Sequence, residues 1–127
     1  MKYLLDTHTA IWALGDKARL SRNAKAIIDD VSNPLCVSMV NAWELAIKVS
    51  LGKLNFVGGA SFFLTRMEHN GIEIMDIEKK HLEIVEKLPF IHGDPFDRLL
   101  IATALSEGLT IITADDNIQK YDVPWIW

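Results

Sequence analysis

Short apolar runs alternate along this chain with longer segments of helical periodicity. Four clear runs and a weaker fifth lie at residues 3–5, 35–37, 72–75, 109–113 and 123–126. Runs of this length are typical of buried strands, and the helical segments between them can connect parallel strands. The alternation therefore predicts an α/β domain in which helices flank a central, mostly parallel sheet of four to five strands. Pro124 restricts the fifth run to an edge strand.

Capping signals place helices between these runs. Thr9 is a candidate N-cap for the first helix, and Ser38 is one for a later helix. The pair Asp94-Pro95 predicts the start of the last strong helix, because proline at the first helical position loses no hydrogen bond. The glycine pair at 58–59 indicates a turn. Besides the helix after Thr9, helical segments are expected at 20–28, 39–51, 78–88 and 94–108.

Length and composition fit one globular domain. The chain has 127 residues, of which 50 % are hydrophobic and 24 % are charged, and one compact core is usual at that size. We therefore expect a single domain over residues 1–127. The only cysteine, Cys36, lies within an apolar run and fits a reducing compartment. Asp6 interrupts the opening apolar stretch, so we expect no signal peptide, no membrane span and a cytoplasmic location.

The net charge of −4 argues against a general nucleic-acid binder, because such proteins carry a surplus of lysine and arginine. The charge is unevenly distributed. Residues 1–60 have seven basic and five acidic side chains, whereas residues 61–127 have six and twelve. A basic cluster within the first half consists of Lys17, Arg19, Arg22 and Lys25. This cluster is either a solvated helix face or a patch that contacts RNA phosphates.

Two acidic residues follow predicted strands. Asp6 comes directly after the first strand, and Asp115 stands two residues after the run at 109–113. Either residue alone could be a turn or capping residue. Ligands in open α/β sheets, however, bind beyond the carboxyl ends of the strands. The shared position of the two acids therefore predicts a site at that edge of the sheet.

Glu44 lies in an otherwise apolar helical segment, between Trp43 and Leu45. Apolar neighbours of this kind indicate a buried position rather than a solvated one. One interpretation is a surface ion pair with Lys48, which is four residues further on in the favourable order. The other is a buried site residue, and Asn41, three residues earlier, adds a second polar group to the same face.

Asp97 lies in the first turn of the last strong helix. Asp94 is the expected N-cap there, and Asp97 could reach back towards it as in a capping box. The residues that follow Asp97 are apolar, so this helix should be largely buried and its first turn should approach the sheet edge. The sequence therefore predicts that the Asp97 carboxylate lies near Asp6.

A cluster of carboxylates without thiolates or several imidazoles is typical of sites for hard divalent cations such as Mg²⁺ and Mn²⁺. These cations suit phosphodiester hydrolysis, because they activate water and neutralise the phosphate. His8 and His92 lie near the predicted site, but two-metal hydrolysis does not require an imidazole. The sequence has no glycine-rich phosphate loop and no serine or cysteine nucleophile motif.

Three motifs that span nearly the whole chain resemble those of the PIN-domain nucleases, and within them the VapC-type toxins of toxin–antitoxin modules. They are YLLDTHTAIW from residue 3, SMVNAWELAIKVSLGKL from residue 38 and DPFDRLLIATALSEGLTIITAD from residue 94. The resemblance implies that four acids bind the metal and catalyse cleavage, namely Asp6, Glu44, Asp97 and Asp115. Asp116 is an alternative for the fourth position.

The resemblance also implies an activity and partners. The activity is metal-dependent endonucleolytic hydrolysis of RNA, which leaves a 5′-phosphate and a 3′-hydroxyl. The partners are a second copy of the chain in a homodimer and a cognate antitoxin whose tail occupies the active-site groove. Two alternatives stay open: a PIN nuclease for housekeeping RNA processing or for DNA, and a PIN module that binds RNA or protein without cutting.

Overall fold

The computed structural model describes residues 1–127 and contains one sheet of five strands. The strands are β1 (Tyr3–Leu5), β2 (Leu35–Ser38), β3 (Glu73–Met75), β4 (Thr110–Ile112) and β5 (Trp125–Ile126). Their order across the sheet is β3-β2-β1-β4-β5, and every neighbouring pair is parallel. The predicted parallel sheet is confirmed, with the fifth strand at an edge.

The chain adds strands first on one side of β1 and then on the other. β2 and β3 lie on one side, whereas β4 and β5 lie on the opposite side. Sheets with this reversal bind ligands in the crevice at the carboxyl ends of the two strands where it occurs. In this chain those strands are β1 and β4, whose last residues, Leu5 and Ile112, pair in register. Asp6 and Thr113 follow directly and border the crevice.

Seven α-helices connect and follow the strands. They are α1 (Thr7–Gly15), α2 (Arg22–Asp29), α3 (Met39–Ser50), α4 (Gly59–His69), α5 (Lys79–Val85), α6 (Pro95–Glu107) and α7 (Asp116–Gln119). A short 3-10 helix, Lys17–Arg19, lies between α1 and α2. No helix has the length and apolar character that crossing a membrane would require.

The helix caps agree with the sequence at Ser38 and Asp94 and differ at the first helix. Ser38 caps α3 through a bond from the Val40 amide, and Asp94 caps α6. The expectation that Thr9 caps α1 is wrong. Asp6 is the cap, because its carboxylate accepts a hydrogen bond of 2.8 Å from the backbone N–H of Thr9.

The turn predicted at residues 58–59 leads into α4, a helix that the sequence did not predict. Gly58 is the N-cap and has a φ of +90°, a backbone conformation that favours glycine. Only Phe63 and Met67 of this helix are buried. One pair of buried side chains four residues apart is too weak a pattern to indicate a helix from sequence.

Side chains that alternate along β1 and β4 divide the core between the two faces of the sheet. Leu4 and Ile111 lie in one buried cluster with apolar side chains of α6. Leu5 and Ile112 lie in a second cluster with apolar side chains of α1, α2, α3 and α4. Cys36 is fully buried in the first cluster, and burial raises the pKa of its thiol to about 12. Both faces are therefore covered, as parallel sheets require.

Candidate active site

The four acids predicted from the sequence lie around one small cavity at the carboxyl edge of the sheet. The cavity has a volume of about 60 Å³. We call it the acid cavity, and it is lined by Asp6, Thr7, His8, Glu44, Lys48, Asp94, Asp97 and Asp115. No hydrophobic side chain lines it. The fold therefore brings together carboxylates from the ends of β1 and β4 and from α3 and α6.

Both carboxylate oxygens of Asp6 accept hydrogen bonds. The Thr9 backbone N–H donates to Oδ1 at 2.8 Å, and the Thr113 hydroxyl donates to Oδ2. Asp6 is only 7 % exposed. Burial raises its pKa above the ordinary value, although the hydrogen bonds from Thr113 and Thr9 lower it in part. The side chain is thus fixed in place, and its ionised form is costly without a nearby cation.

Glu44 is 6 % exposed and is held by a chain of hydrogen bonds from α1 and α3. The Thr7 hydroxyl donates to its Oε1 at 2.5 Å, and the Asn41 amide donates to the Thr7 hydroxyl at 3.0 Å. The Ser38 backbone N–H donates in turn to Asn41 Oδ1 at 2.8 Å. Asn41, singled out in the sequence as a second polar group, therefore acts through Thr7. No sequence pattern indicated Thr7 itself.

The ion pair between Glu44 and Lys48 does form, with Lys48 Nζ 2.7 Å from Glu44 Oε2. The pair is not a solvated surface pair, because Glu44 is buried and both residues line the acid cavity. Burial lowers the pKa of Lys48, but the hydrogen bond to Glu44 and the charges of Glu44, Asp94 and Asp97 outweigh it. The pKa of Lys48 therefore lies above its ordinary value.

Asp97 does not complete a capping box. Asp94 accepts hydrogen bonds from the backbone N–H groups of Phe96 and Asp97, at 2.9 and 3.0 Å. The Asp97 carboxylate instead lies 3.0 Å from Nε2 of His92. The pKa of Asp97 is raised to about 7, chiefly by burial and also by the charges of Asp94, Asp115 and Glu44, which together outweigh the lowering effect of the His92 hydrogen bond.

Asp115 caps α7 and is linked to Asp6 through Thr113. Its carboxylate accepts a hydrogen bond of 2.8 Å from the Asn117 backbone N–H. Its own backbone N–H donates at 3.0 Å to the Thr113 hydroxyl, which donates to Asp6. Asp116, the alternative at this position, does not line the acid cavity.

The donor set of the acid cavity fits a hard divalent cation. Five carboxylates line the cavity, those of the four predicted acids and that of Asp94, and no thiolate does, which is the set that Mg²⁺ and Mn²⁺ prefer. Several buried like charges repel one another, and a cation removes that cost. The residues that could hold it are Asp6, Glu44, Asp97 and Asp115.

Comparison with known proteins identifies the family. The family model for the PIN domain matches residues 3–124. The chain belongs to the PIN domain family. Ribonuclease VapC22 from Mycobacterium tuberculosis (strain ATCC 25618 / H37Rv) is 27 % identical over 122 residues, which are 95 % of this chain and 92 % of that protein.

Solved structures share the fold of this PIN domain. VapBC2 from Rickettsia felis, bound to a DNA fragment from the promoter, matches with a TM-score of 0.70 and 18 % identity. The match covers 100 % of this chain and 99 % of that one. A toxin-antitoxin complex from Klebsiella pneumoniae matches with a TM-score of 0.64 and 19 % identity, over 98 % of this chain and 96 % of that one. The expected PIN-like fold is confirmed.

A second group of possible metal ligands in this PIN domain is used by the protein itself. Ligand atoms of Glu78, His81 and Glu107 lie within 4.8 Å of one another. Nδ1 of His81 accepts a hydrogen bond of 3.1 Å from the Glu78 backbone N–H, so Nε2 carries the proton and donates to Glu107 at 2.9 Å. Lys80 also contacts Glu107, at 2.9 Å. The group therefore joins α5 to α6 and leaves no free imidazole lone pair for a metal.

The basic cluster of this PIN domain is largely exposed, and part of its charge is paired. Asp29 lies 2.8 Å from Lys17 and 2.6 Å from Lys25. The Arg19 guanidinium lies 5.6 Å from the centre of a Trp12 ring and 3.4 Å from Asp16. Arg22 takes part in no ion pair. Contact of the cluster with RNA phosphates stays a prediction. The two arginines are better candidates for that contact than the lysines, which are both paired with Asp29.

An apolar groove of about 620 Å³ adjoins the acid cavity. It is lined by His8, Ile11, Trp12, Leu14, Gly15, Asp16, Arg19, Leu54, Phe56, Val57, Phe62 and Arg66. His8 also lines the acid cavity, so the two spaces are neighbours. Val57 and Phe62 are 86 % and 48 % exposed. Large exposed apolar side chains around a groove are typical of a binding surface.

Replacing Asp97 with asparagine should stabilise the metal-free protein above pH 7. The folded state holds a proton on Asp97 that the unfolded chain releases, so the free energy of unfolding falls as pH rises from about 4 to about 7. The asparagine amide does not ionise, so the free energy of unfolding of the variant does not fall with pH on account of residue 97. We expect a gain of about 1 to 3 kcal/mol at pH 8, since one pKa unit corresponds to about 1.4 kcal/mol.

Urea denaturation in EDTA across pH 4 to 8 measures this gain. Asp122→Asn, at an exposed position, controls for the loss of one negative charge. Equal pH dependence of the wild type and Asp97→Asn would contradict the assignment of a raised pKa to Asp97.

Proposed function

We propose that this PIN domain is a metal-dependent endoribonuclease and the toxin of a toxin–antitoxin module. The observation that carries the proposal is the acid cavity, in which four carboxylates from distant parts of the chain lie around about 60 Å³ at the crevice between β1 and β4. The similarity to a protein named ribonuclease VapC22 supports RNA as the substrate. Residues 1–127 would then form a single PIN domain.

The acids of the cavity would hold Mg²⁺ or Mn²⁺. When bound, the cation neutralises charge on the scissile phosphate and promotes attack by water. Asp6 and Glu44 keep their positions through hydroxyl groups of Thr113 and Thr7, so their carboxylates need little rearrangement to bind. Lys48 holds the other Glu44 oxygen and lowers the repulsion between the cavity and an RNA phosphate.

The acid cavity favours a nuclease over a PIN module that only binds. Burying several carboxylates destabilises a fold, and a binding module would gain nothing from it. A housekeeping nuclease for RNA processing or for DNA would use the same acids. A small antitoxin gene immediately upstream would favour the toxin over that alternative.

The antitoxin is the proposed protein partner, and the apolar groove is its proposed docking site. The Klebsiella pneumoniae structure with this fold is a toxin-antitoxin complex. Arg19 and Arg66 at the groove favour an apolar antitoxin segment that also carries acidic residues. A segment bound there would reach the acid cavity through His8 and would cover Arg19. We also propose, from the resemblance to VapC-type toxins, that the protein is a cytoplasmic homodimer.

The purified protein should cleave members of a mixed RNA pool with Mg²⁺ or Mn²⁺ and stop in EDTA, because the acids act through the cation. Asp6→Asn and Asp97→Asn should each lower the rate roughly 100-fold or more without unfolding the protein. Gel analysis of products and circular dichroism measure these effects, with Asp122→Asn as the matched control.

Robust cleavage in EDTA would contradict the metal mechanism, and near-normal turnover of either variant would remove that residue from the site. Mn²⁺ should also raise the melting temperature of the wild type by binding the folded state. No cleavage and no shift with Mn²⁺ would favour the binding module.

Replacing Arg19 and Arg22 with alanine should weaken RNA binding at low salt, because fewer counterions are released from the bound strand. In an Asp6→Asn background, which keeps the RNA intact, the slope of log affinity against log salt should become shallower by about 1.4. Filter binding across a salt series measures it. The Lys17→Ala/Lys25→Ala pair should change the slope less, since both lysines contact Asp29. An unchanged slope in the arginine variant would show that the basic cluster is only a solvated face.

Val57→Asp should weaken binding of the antitoxin at least tenfold, because it places a negative charge in the apolar groove against an acidic, apolar segment. The probe is the product of any small gene immediately upstream, where the proposed antitoxin would be encoded, and calorimetry gives its affinity. Val31→Asp is the matched control, since Val31 is also exposed but lies outside the groove. Equal loss of affinity in both variants, or in neither, would contradict the docking site.

A further inference from the structure

His92 lies between the acid cavity and the buried side chain of Tyr121. Its Nε2 is 3.0 Å from Oδ2 of Asp97, and its Nδ1 is 2.9 Å from the Tyr121 hydroxyl. His92 is largely buried, with 14 % of its side chain exposed, and Tyr121 is 4 % exposed. Both ring nitrogens of His92 are therefore used, one towards a predicted metal ligand and one towards the core.

The hydrogen bonds at Tyr121 fix which nitrogen of His92 carries the proton. Arg98 donates to the Tyr121 oxygen at 3.0 Å, and the His92 backbone N–H donates to it at 3.3 Å. Both lone pairs of that oxygen are then occupied. Its own proton has two acceptors, Nδ1 of His92 at 2.9 Å and the His92 backbone carbonyl at 3.3 Å, and the shorter contact favours Nδ1. With Nδ1 as an acceptor, Nε2 carries the imidazole proton and donates a hydrogen bond to Asp97.

Arg98 fixes the direction of its own hydrogen bond to Tyr121. It is 5 % exposed, and an arginine side chain donates but never accepts. Its guanidinium also donates to backbone carbonyls of Pro89, Leu88 and Val85, at 2.8, 3.3 and 3.4 Å. It lies 3.9 Å from the centre of the Phe90 ring. The arginine is thus anchored and cannot turn away from Tyr121.

We propose that Arg98, Tyr121 and His92 form a positioning relay that fixes Asp97 for metal binding. The relay holds Oδ2 of Asp97, while Oδ1 accepts no hydrogen bond from the protein and stays available to a cation. Partners of this kind orient a ligating carboxylate and commonly change metal affinity when removed. The inference rests on the proposed metal site and adds that His92 is a positioning residue rather than a ligand.

The relay also connects two of the acids through one segment. Tyr121 follows α7, the helix that Asp115 caps. Asp97 is thus oriented from the same short segment that carries Asp115. A change at Tyr121 should therefore affect metal binding although its hydroxyl touches no carboxylate.

The test uses the purified full chain and Mn²⁺ as the probe, with the free-ion EPR signal giving the dissociation constant. His92→Ala should weaken Mn²⁺ binding roughly 10- to 100-fold. His92→Gln should recover part of the loss, because its amide N–H can donate to Asp97 in place of Nε2. Tyr121→Phe should weaken binding severalfold, whereas Tyr3→Phe, which removes the other tyrosine hydroxyl of the chain, should not.

A metal-free measurement separates the relay from the metal site. ¹⁵N NMR of the imidazole at pH 8 in EDTA should give the Nε2–H form of His92 in the wild type and a mixture of forms in Tyr121→Phe, with resonances assigned through the His92 variants. Circular dichroism verifies that each variant folds.

Two outcomes would overturn the relay: an Nδ1–H tautomer of His92 in the wild type, or unchanged Mn²⁺ affinity in folded His92→Ala. A wild type that binds no Mn²⁺ would instead refute the proposed metal site on which the relay depends. The NMR result then still decides whether the hydrogen-bond chain exists.

Discussion

The carboxylates buried in this PIN domain repel one another, and the structure around them has to offset that repulsion. An acid that leaves water must gain hydrogen bonds or an opposite charge. Each of the four predicted acids has its own donor: a threonine hydroxyl for Asp6 and for Glu44, an imidazole for Asp97 and a backbone amide for Asp115. These donors fix the oxygens, and Lys48 is the only basic side chain of the cavity that forms an ion pair with one of the acids, Glu44. The fold therefore holds a preformed cluster of acids that fits the proposed binding of a divalent cation.

The order of strands explains why the acids meet. Because β1 lies in the middle of the sheet, the residue after it faces the loops that follow β2 on one side and β4 on the other. Thr113, directly after β4, reaches Asp6 across 107 positions of sequence. Alternation along β1 and β4 meanwhile sends their apolar side chains to the two cores and keeps them out of the crevice. The side chains within β1 and β4 therefore build the two cores, whereas the residues that follow these strands build the acid cavity.

The sequence predicted those parts of the fold and site that depend on local pattern. The parallel sheet followed from the apolar runs, and the position of Asp6 and Asp115 at the sheet edge followed from their places after strands. Parts that depend on contacts between distant segments could not be predicted. No sequence pattern indicates that Thr113 contacts Asp6. None indicates that Tyr121 contacts His92 either. Helix α4 was missed because few of its side chains are buried.

The acid cavity is large enough for metal ions but too small to recognise a base. A space of about 60 Å³ can hold ions, whereas pockets that enclose a small organic ligand are usually about 300 Å³ or larger. No base can be enclosed there, so selectivity of the proposed nuclease for its RNA would come from the surfaces around the cavity. Those surfaces include the exposed arginines of the basic cluster and the groove that His8 connects to the site. Because Arg19 belongs to both, one occupant of the groove would cover part of the proposed RNA-binding surface and would also reach the acid cavity. Inhibition by a partner then needs no change in the acids themselves.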